Sequence, residues 1–113
     1  MMRELLKSKI HRATVSNADM NYPGSLTIDS ELMKLADILP WEKVLVADVT
    51  NGNRLETYAI PGPKGCICSN GAAAHDIHKG DIIIIMSFAI TDKPIEPKIV
   101  LVDSENNFTD YVH

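Results

Sequence analysis

The sequence predicts a mainly β protein, a small β-barrel with one short helix and short helical turns. Three observations lead there. Two β-prone runs meet at Asn51-Gly52, an isoleucine run from Ile82 to Ile85 ends at Met86, and helical periodicity is confined to one stretch between Asp29 and Pro40. Five or six short strands with one helix and one helical turn do not form an alternating α/β layer. At 113 residues the chain has room for one core, so residues 1–113 are expected to form a single domain.

Residues 7–16 carry Ile10, Ala13 and Val15 among polar neighbours and read as an imperfect, partly exposed strand. The stretch 17–25 is dense in turn formers, and Pro23 biases Tyr22 toward an extended backbone, so a loop is expected there. From Asp29, the residues Leu32, Leu35, Ala36 and Leu39 recur at helical spacing, with Asp29 or Ser30 as cap and Pro40 as stop. Residues 43–50 and 53–60 form a hairpin across Asn51-Gly52, a dipeptide that supplies the left-handed residues of a tight turn. Alternation on its second arm sends Arg54, Glu56 and Tyr58 to one face and Leu55, Thr57 and Ala59 to the other. Pro61-Gly62-Pro63 ends that strand, and a short run 66–69 leads to Asn70-Gly71-Ala72-Ala73-Ala74-His75, a turn opening onto one helical turn. After Lys79-Gly80-Asp81, residues 82–86 are apolar on both faces and read as a strand buried on both sides. Residues 98–103 are the last strand before a polar tail.

Composition narrows the function. Hydrophobic residues make up 45% and charged residues 23%, which fits a folded soluble chain. Fifteen acidic against eleven basic residues give a net charge of -4 and a pI near 5.4, which argues against nucleic acid as the main partner. The longest apolar run falls far short of the ~20 residues of a membrane span, so no membrane partner is expected. The start Met-Met-Arg-Glu-Leu-Leu-Lys lacks the apolar stretch of a secretory signal, and the cytoplasm is the expected compartment.

The common nucleophile, phosphate-loop, zinc-protease and dinucleotide motifs are absent. Two constellations remain. Cys66-x-Cys68 with His75-x-x-His78 offers zinc-type ligands at a poor spacing, and two small buried hydrophobes explain the cysteines equally well. That non-enzymatic zinc module is the alternative to an enzyme. The second constellation is Lys9 and His11 on one strand with Arg54 and Tyr58 on another. If those strands meet, they make a small basic pocket for a dicarboxylate, with Arg54 as planar clamp and Lys9 as point charge; otherwise they are solvated strand faces.

Taken together, Lys9-Ile10-His11-Arg12, Tyr22-x-Gly24-Ser25, Thr50-Asn51-Gly52, Arg54-x-x-Thr57-Tyr58 and Asn70-Gly71-Ala72-Ala73-Ala74 resemble the pyruvoyl-dependent aspartate decarboxylase family. The resemblance spans nearly the whole chain and is weakest after about position 90. It implies a double-psi β-barrel and a homotetramer with active sites between subunits. It also implies self-cleavage at Gly24-Ser25 into residues 1–24 and 25–113, with Thr57 assisting at the Gly24 carbonyl. Ser25 would become a covalent pyruvoyl group, an electron sink for decarboxylating L-aspartate to β-alanine and CO2 in pantothenate synthesis, with no metal.

Tyr58 matches the family's proton donor, and Lys9 and Arg54 match carboxylate-holding positions with His11 beside them. Asn70 would lie next to the pyruvoyl group, and Gly71, Ala72 and Ala73 would offer backbone contacts to substrate. The connection from Tyr58 to Asn70 is shorter than the family's usual one and carries both cysteines. The short C-terminal tail bears no signal for or against a maturation factor.

Overall fold

A computed structural model describes residues 1–112. Nine strands follow the order β2-β6-β3-β5-β4-β7-β1-β8-β9. They are β1 (Arg3–Thr14), β2 (Asn17–Asp19), β3 (Leu26–Asp29), β4 (Lys43–Asp48), β5 (Arg54–Gly62), β6 (Ile67–Asn70), β7 (Ile82–Thr91), β8 (Lys98–Val102) and β9 (Phe108–Tyr111). With α1 (Ser30–Leu35) and a 3-10 turn over Gly71–His75, the architecture is mainly β and barrel-like, and its outer strands β2 and β9 do not pair to close it. Ile10, Leu26, Ile28, Val46, Ile83 and Ile85 are fully enclosed and lie at the centre of the core.

The hairpin forms as expected, β4 and β5 pairing antiparallel from Lys43↔Tyr58 to Ala47↔Arg54. Its connection is longer than the two-residue turn the dipeptide predicts. The Asp48 carboxylate accepts from Thr50 N (2.8 Å) and Asn51 N (3.3 Å), and only Gly52 takes a left-handed φ, of 83°. The aspartate side chain thus substitutes for turn hydrogen bonds and widens the loop. β5 continues through Pro61 to Gly62. The N–H and C=O of Ala59 face the turn at Trp41–Glu42, so Pro61, two residues on, faces the same side beyond the last β4 pair, where its missing N–H interrupts nothing.

Helix α1 is capped by Asp29, whose Oδ1 accepts from Glu31 N (2.8 Å) and whose Oδ2 accepts from Gly65 N (2.8 Å). It ends before Pro40. Asp37 adopts φ 56°, Asp37 N reaches Lys34 O (3.1 Å) and Ile38 N reaches Met33 O (2.8 Å), a Schellman closure that terminates the helix after Leu35.

Three further expectations are corrected. The loop at 17–25 contains β2, a three-residue edge strand held by parallel pairing with β6, which local composition does not signal. The tail after β8 contains β9. Asp103 Oδ1 caps Glu105 N and Asn107 N, and the turn returns the chain so that Tyr111 Oη donates to Leu35 O (2.8 Å). Strand β7 is longer than 82–86 and buried on one face only: Ile83, Ile85 and Ser87 point inward, while Ile82, Ile84 and Met86 are half-exposed.

Candidate active site

Pro23 fixes its own φ and leaves Tyr22 O free to accept from Gly24 N at 2.8 Å, a three-residue turn. Gly24 (φ 61°) and Ser25 (φ 79°) are therefore consecutive left-handed residues at the mouth of β3. Glycine adopts that conformation freely, whereas serine holds it at a cost of about 1–3 kcal/mol. The neighbouring strand β6 supplies the restraint. Asn70 N donates to Ser25 O (3.1 Å), and Asn70 Nδ2 donates to Ser25 Oγ (3.3 Å) and Thr27 Oγ1 (2.9 Å). Ser25 is 2% exposed and Asn70 3%, so the grip operates away from bulk water and gains strength there.

Gly71 approaches the same segment with φ 59°, and a Cβ on it would lie 2.8 Å from Gly24 N and 3.0 Å from Tyr22 O. Only glycine fits. On the other side, a Cβ on Gly24 would lie 3.0 Å from Tyr58 Oη, so the phenol tip rests against the Gly24 Cα. Gly24, Ser25, Thr57, Tyr58, Asn70, Ala72 and Ala73 line one cavity of about 270 Å³, together with Leu55, Glu56 and Asp76.

Lys9, His11 and Arg54 are not in that lining. Strands β1 and β5 do not meet; β7 and β4 lie between them, which at ~4.8 Å per strand puts them about 14 Å apart across the sheet. The single basic pocket expected if those strands met is therefore not formed within one chain. His11 is held below its ordinary pKa, first by burial and then by the positive charges of Lys9 and Arg12.

The alternative zinc site does not assemble. Among the described residues no group of three or more His, Cys, Asp or Glu is placed to hold a metal. Burial, and then the neighbouring Cys66, push the Cys68 thiol up to about 11, which keeps it protonated and a poor ligand. The His78 ring is engaged locally, Nε2 lying 2.8 Å from His75 O.

Sequence reasoning passed over three residues at the site. Glu56 and Asp76 make the cavity wall acidic. Trp41 stacks on Tyr58, with ring centroids 5.6 Å apart and planes at 25°. The signal for Trp41 was present: it is the only tryptophan of the chain, and it follows a proline at the entry to β4.

The aspartate decarboxylase family profile matches residues 1–109. The chain is 56% identical to the aspartate 1-decarboxylase of Moorella thermoacetica, over 96% of this chain and 90% of that protein. It is 56% identical to the enzyme of Syntrophotalea carbinolica, over 94% and 86%. It is 55% identical to that of Thermoanaerobacter pseudethanolicus, over 94% and 96%. The match covers nearly the whole chain, and the chain belongs to the aspartate decarboxylase family of enzymes.

Proposed function

We propose that the chain cuts itself between Gly24 and Ser25 and that the enzyme so matured converts L-aspartate to β-alanine and CO2, in the cytoplasm, as a step toward pantothenate. The observation that carries this reading is the buried, left-handed Gly24–Ser25 pair gripped by Asn70 with the Tyr58 phenol against it. Ser25 Oγ attacks the Gly24 carbonyl carbon, and the Gly24–Ser25 amide rearranges to an ester with a free Ser25 amine. Loss of the Ser25 α-proton then expels the Gly24 carboxylate, releasing residues 1–24. Water hydrolyses the resulting dehydroalanine, ammonia leaves, and a pyruvoyl group caps residues 25–113. Strain at Ser25 is relieved as the bond breaks, which favours the forward direction. Thr57, in the same cavity wall, is assigned to the Gly24 oxygen, where negative charge develops.

The residues present fit such a group: small Ala72 and Ala73 leave space beside position 25, and Asn70 Nδ2, which donates to Ser25 Oγ in the uncut chain, would stand beside the ketone oxygen that water supplies after Oγ has left with the Gly24 carboxylate. When formed, the group supplies a covalent electron sink for the pair released with CO2. Tyr58, with its hydroxyl at the cavity, returns a proton to the former α-carbon.

Aspartate brings two carboxylates to a wall that carries only acids, Glu56 and Asp76. Cations must come from elsewhere. Lys9 and Arg54 would hold the carboxylates, with His11 beside them, when a second copy brings its sheet face to this cavity. That face carries half-exposed Leu45, Ile84 and Met86, flanked by exposed Phe88 and Ile90, and covering it favours a homotetramer with sites between subunits.

The test is the aspartate-dependent release of β-alanine by wild type and by Ser25→Ala. Wild type is expected to turn over and the variant to remain whole and inactive. Normal β-alanine production by Ser25→Ala overturns the proposal.

A further inference from the structure

We infer that Trp41 is a positioning residue for Tyr58, holding its phenol against the Gly24–Ser25 segment, and that a strained turn is maintained for this purpose. The inference rests on the reading of Tyr58 as proton donor. Leu39-Pro40-Trp41-Glu42 is a tight turn closed by Glu42 N donating to Leu39 O at 3.1 Å. Proline at its second position and φ 72° at its third give it the form of a type II turn. The third position of such a turn asks for glycine or asparagine, because a Cβ crowds the following carbonyl there. This chain places its bulkiest side chain at that position.

Burial does not explain the choice, since Trp41 is 72% exposed. Its recorded ring contact is the stack on Tyr58. The Tyr58 hydroxyl has no hydrogen-bond partner among the described residues, so packing alone sets the ring: Trp41 on one face and Gly24 at the tip.

The turn is anchored well enough to do this. Trp41 N donates to Ala59 O (2.8 Å) and Ala59 N donates to Glu42 O (2.9 Å), which fixes the turn to the residue following Tyr58. The Glu42 carboxylate accepts from Leu39 N (3.2 Å) and from Ser87 Oγ, and pairs with Lys7 Nζ at 3.0 Å. Lys7 also donates to Asp37 O, so strands β1 and β7 both hold the loop that carries the indole. A second cavity, lined by Tyr22, Pro23, Ser25, Trp41, Tyr58 and Ile60, joins this aromatic pair to the cleavage segment.

The test compares Trp41→Gly and Trp41→Phe with wild type in aspartate kinetics, thermal melting and assembly size. Glycine suits the turn, so Trp41→Gly is expected to melt no lower than wild type. Its kcat is expected to fall about three- to tenfold with little change in KM, the range a stacked aromatic pair supports. Trp41→Phe restores most of the loss. Unchanged kcat, a rise in KM alone, or a smaller assembly in Trp41→Gly overturns the inference.

A readout independent of turnover is the near-ultraviolet circular dichroism of this sole tryptophan. It weakens in Tyr58→Ala if the rings are stacked in solution, and an unchanged band refutes the stack. If wild type makes no β-alanine, the proposed function fails, and the dichroism comparison alone decides for or against the stacking.

Discussion

Replacing Gly71 by alanine tests how the Gly24–Ser25 segment, proposed as the cleavage point, is held. At φ 59° an alanine pays about 1–2 kcal/mol for a left-handed backbone wherever it stands. Gly71→Ala pays more. Its Cβ would lie 2.8 Å from Gly24 N, whereas ordinary contact begins at 3.4 Å, so the Gly24 backbone must retreat by about 0.6 Å (3.4 minus 2.8). The neighbours at 3.0 Å, Gly24 Cα and Tyr22 O, are backbone too and cannot rotate away. That retreat pulls Gly24 from beneath Tyr58 and disturbs the bonds from Asn70 to Ser25. Misplacement on this scale costs about tenfold or more in a positioned reaction. Gly52→Ala is the control, with φ 83° and nothing within 4 Å of its Cβ. The assay is the cleaved fraction against time, by denaturing mass spectrometry, with melting measured in parallel. Both variants should lose stability, and only Gly71→Ala should cut slowly. Equal cleavage rates in the two variants would refute the idea that Gly71 sets the position of the Gly24–Ser25 bond.

Tyr58→Phe should mature normally yet decarboxylate on the order of 10²-fold more slowly, the worth of a positioned proton donor; full turnover removes Tyr58 from that role. Asp29→Ala should cost about 1–2 kcal/mol, seen as a lower urea midpoint, because Glu31 N and Gly65 N lose their acceptor together. Asp48 titrates at about 6 in the fold, raised first by burial and then by Asp81 beside it, so the native chain holds a proton that the unfolded chain releases near 4. The contribution of Asp48 to stability therefore falls as pH rises from about 4 to about 6 and is level above. Melting curves should show Asp48→Asn gaining on wild type across that window, and parallel pH profiles would contradict the assignment.

What was legible in the chain was whatever its own neighbours decide. The Asp29 cap, the 43–60 hairpin and the Asn70–His75 turn depend on residues a few positions apart, and each formed. What was not legible depends on distant pairing. β2 exists because β6 lies beside it, and β9 because Asp103 turns the chain back toward α1. The helix stop moved from Pro40 to Asp37 because an aspartate accepted the left-handed position usually given to glycine. At the site, Ser25, Thr57, Tyr58, Asn70, Ala72 and Ala73 share one cavity, with Gly71 packed beneath Gly24. Lys9 and His11 were grouped with Arg54 on side-chain type, strand direction and the family resemblance, and within one chain two intervening strands separate them. Trp41 escaped notice because a tryptophan at a glycine-type turn position contradicts local preference, and its reason lies seventeen residues away at Tyr58.

The intact mass of the purified protein under denaturing conditions bears most directly on the central claim. Self-processing at the Gly24–Ser25 bond predicts two species, residues 1–24 and residues 25–113 with the N-terminal serine converted to pyruvoyl. A single full-length mass that persists through prolonged warm incubation, with no β-alanine formed from aspartate, would contradict it.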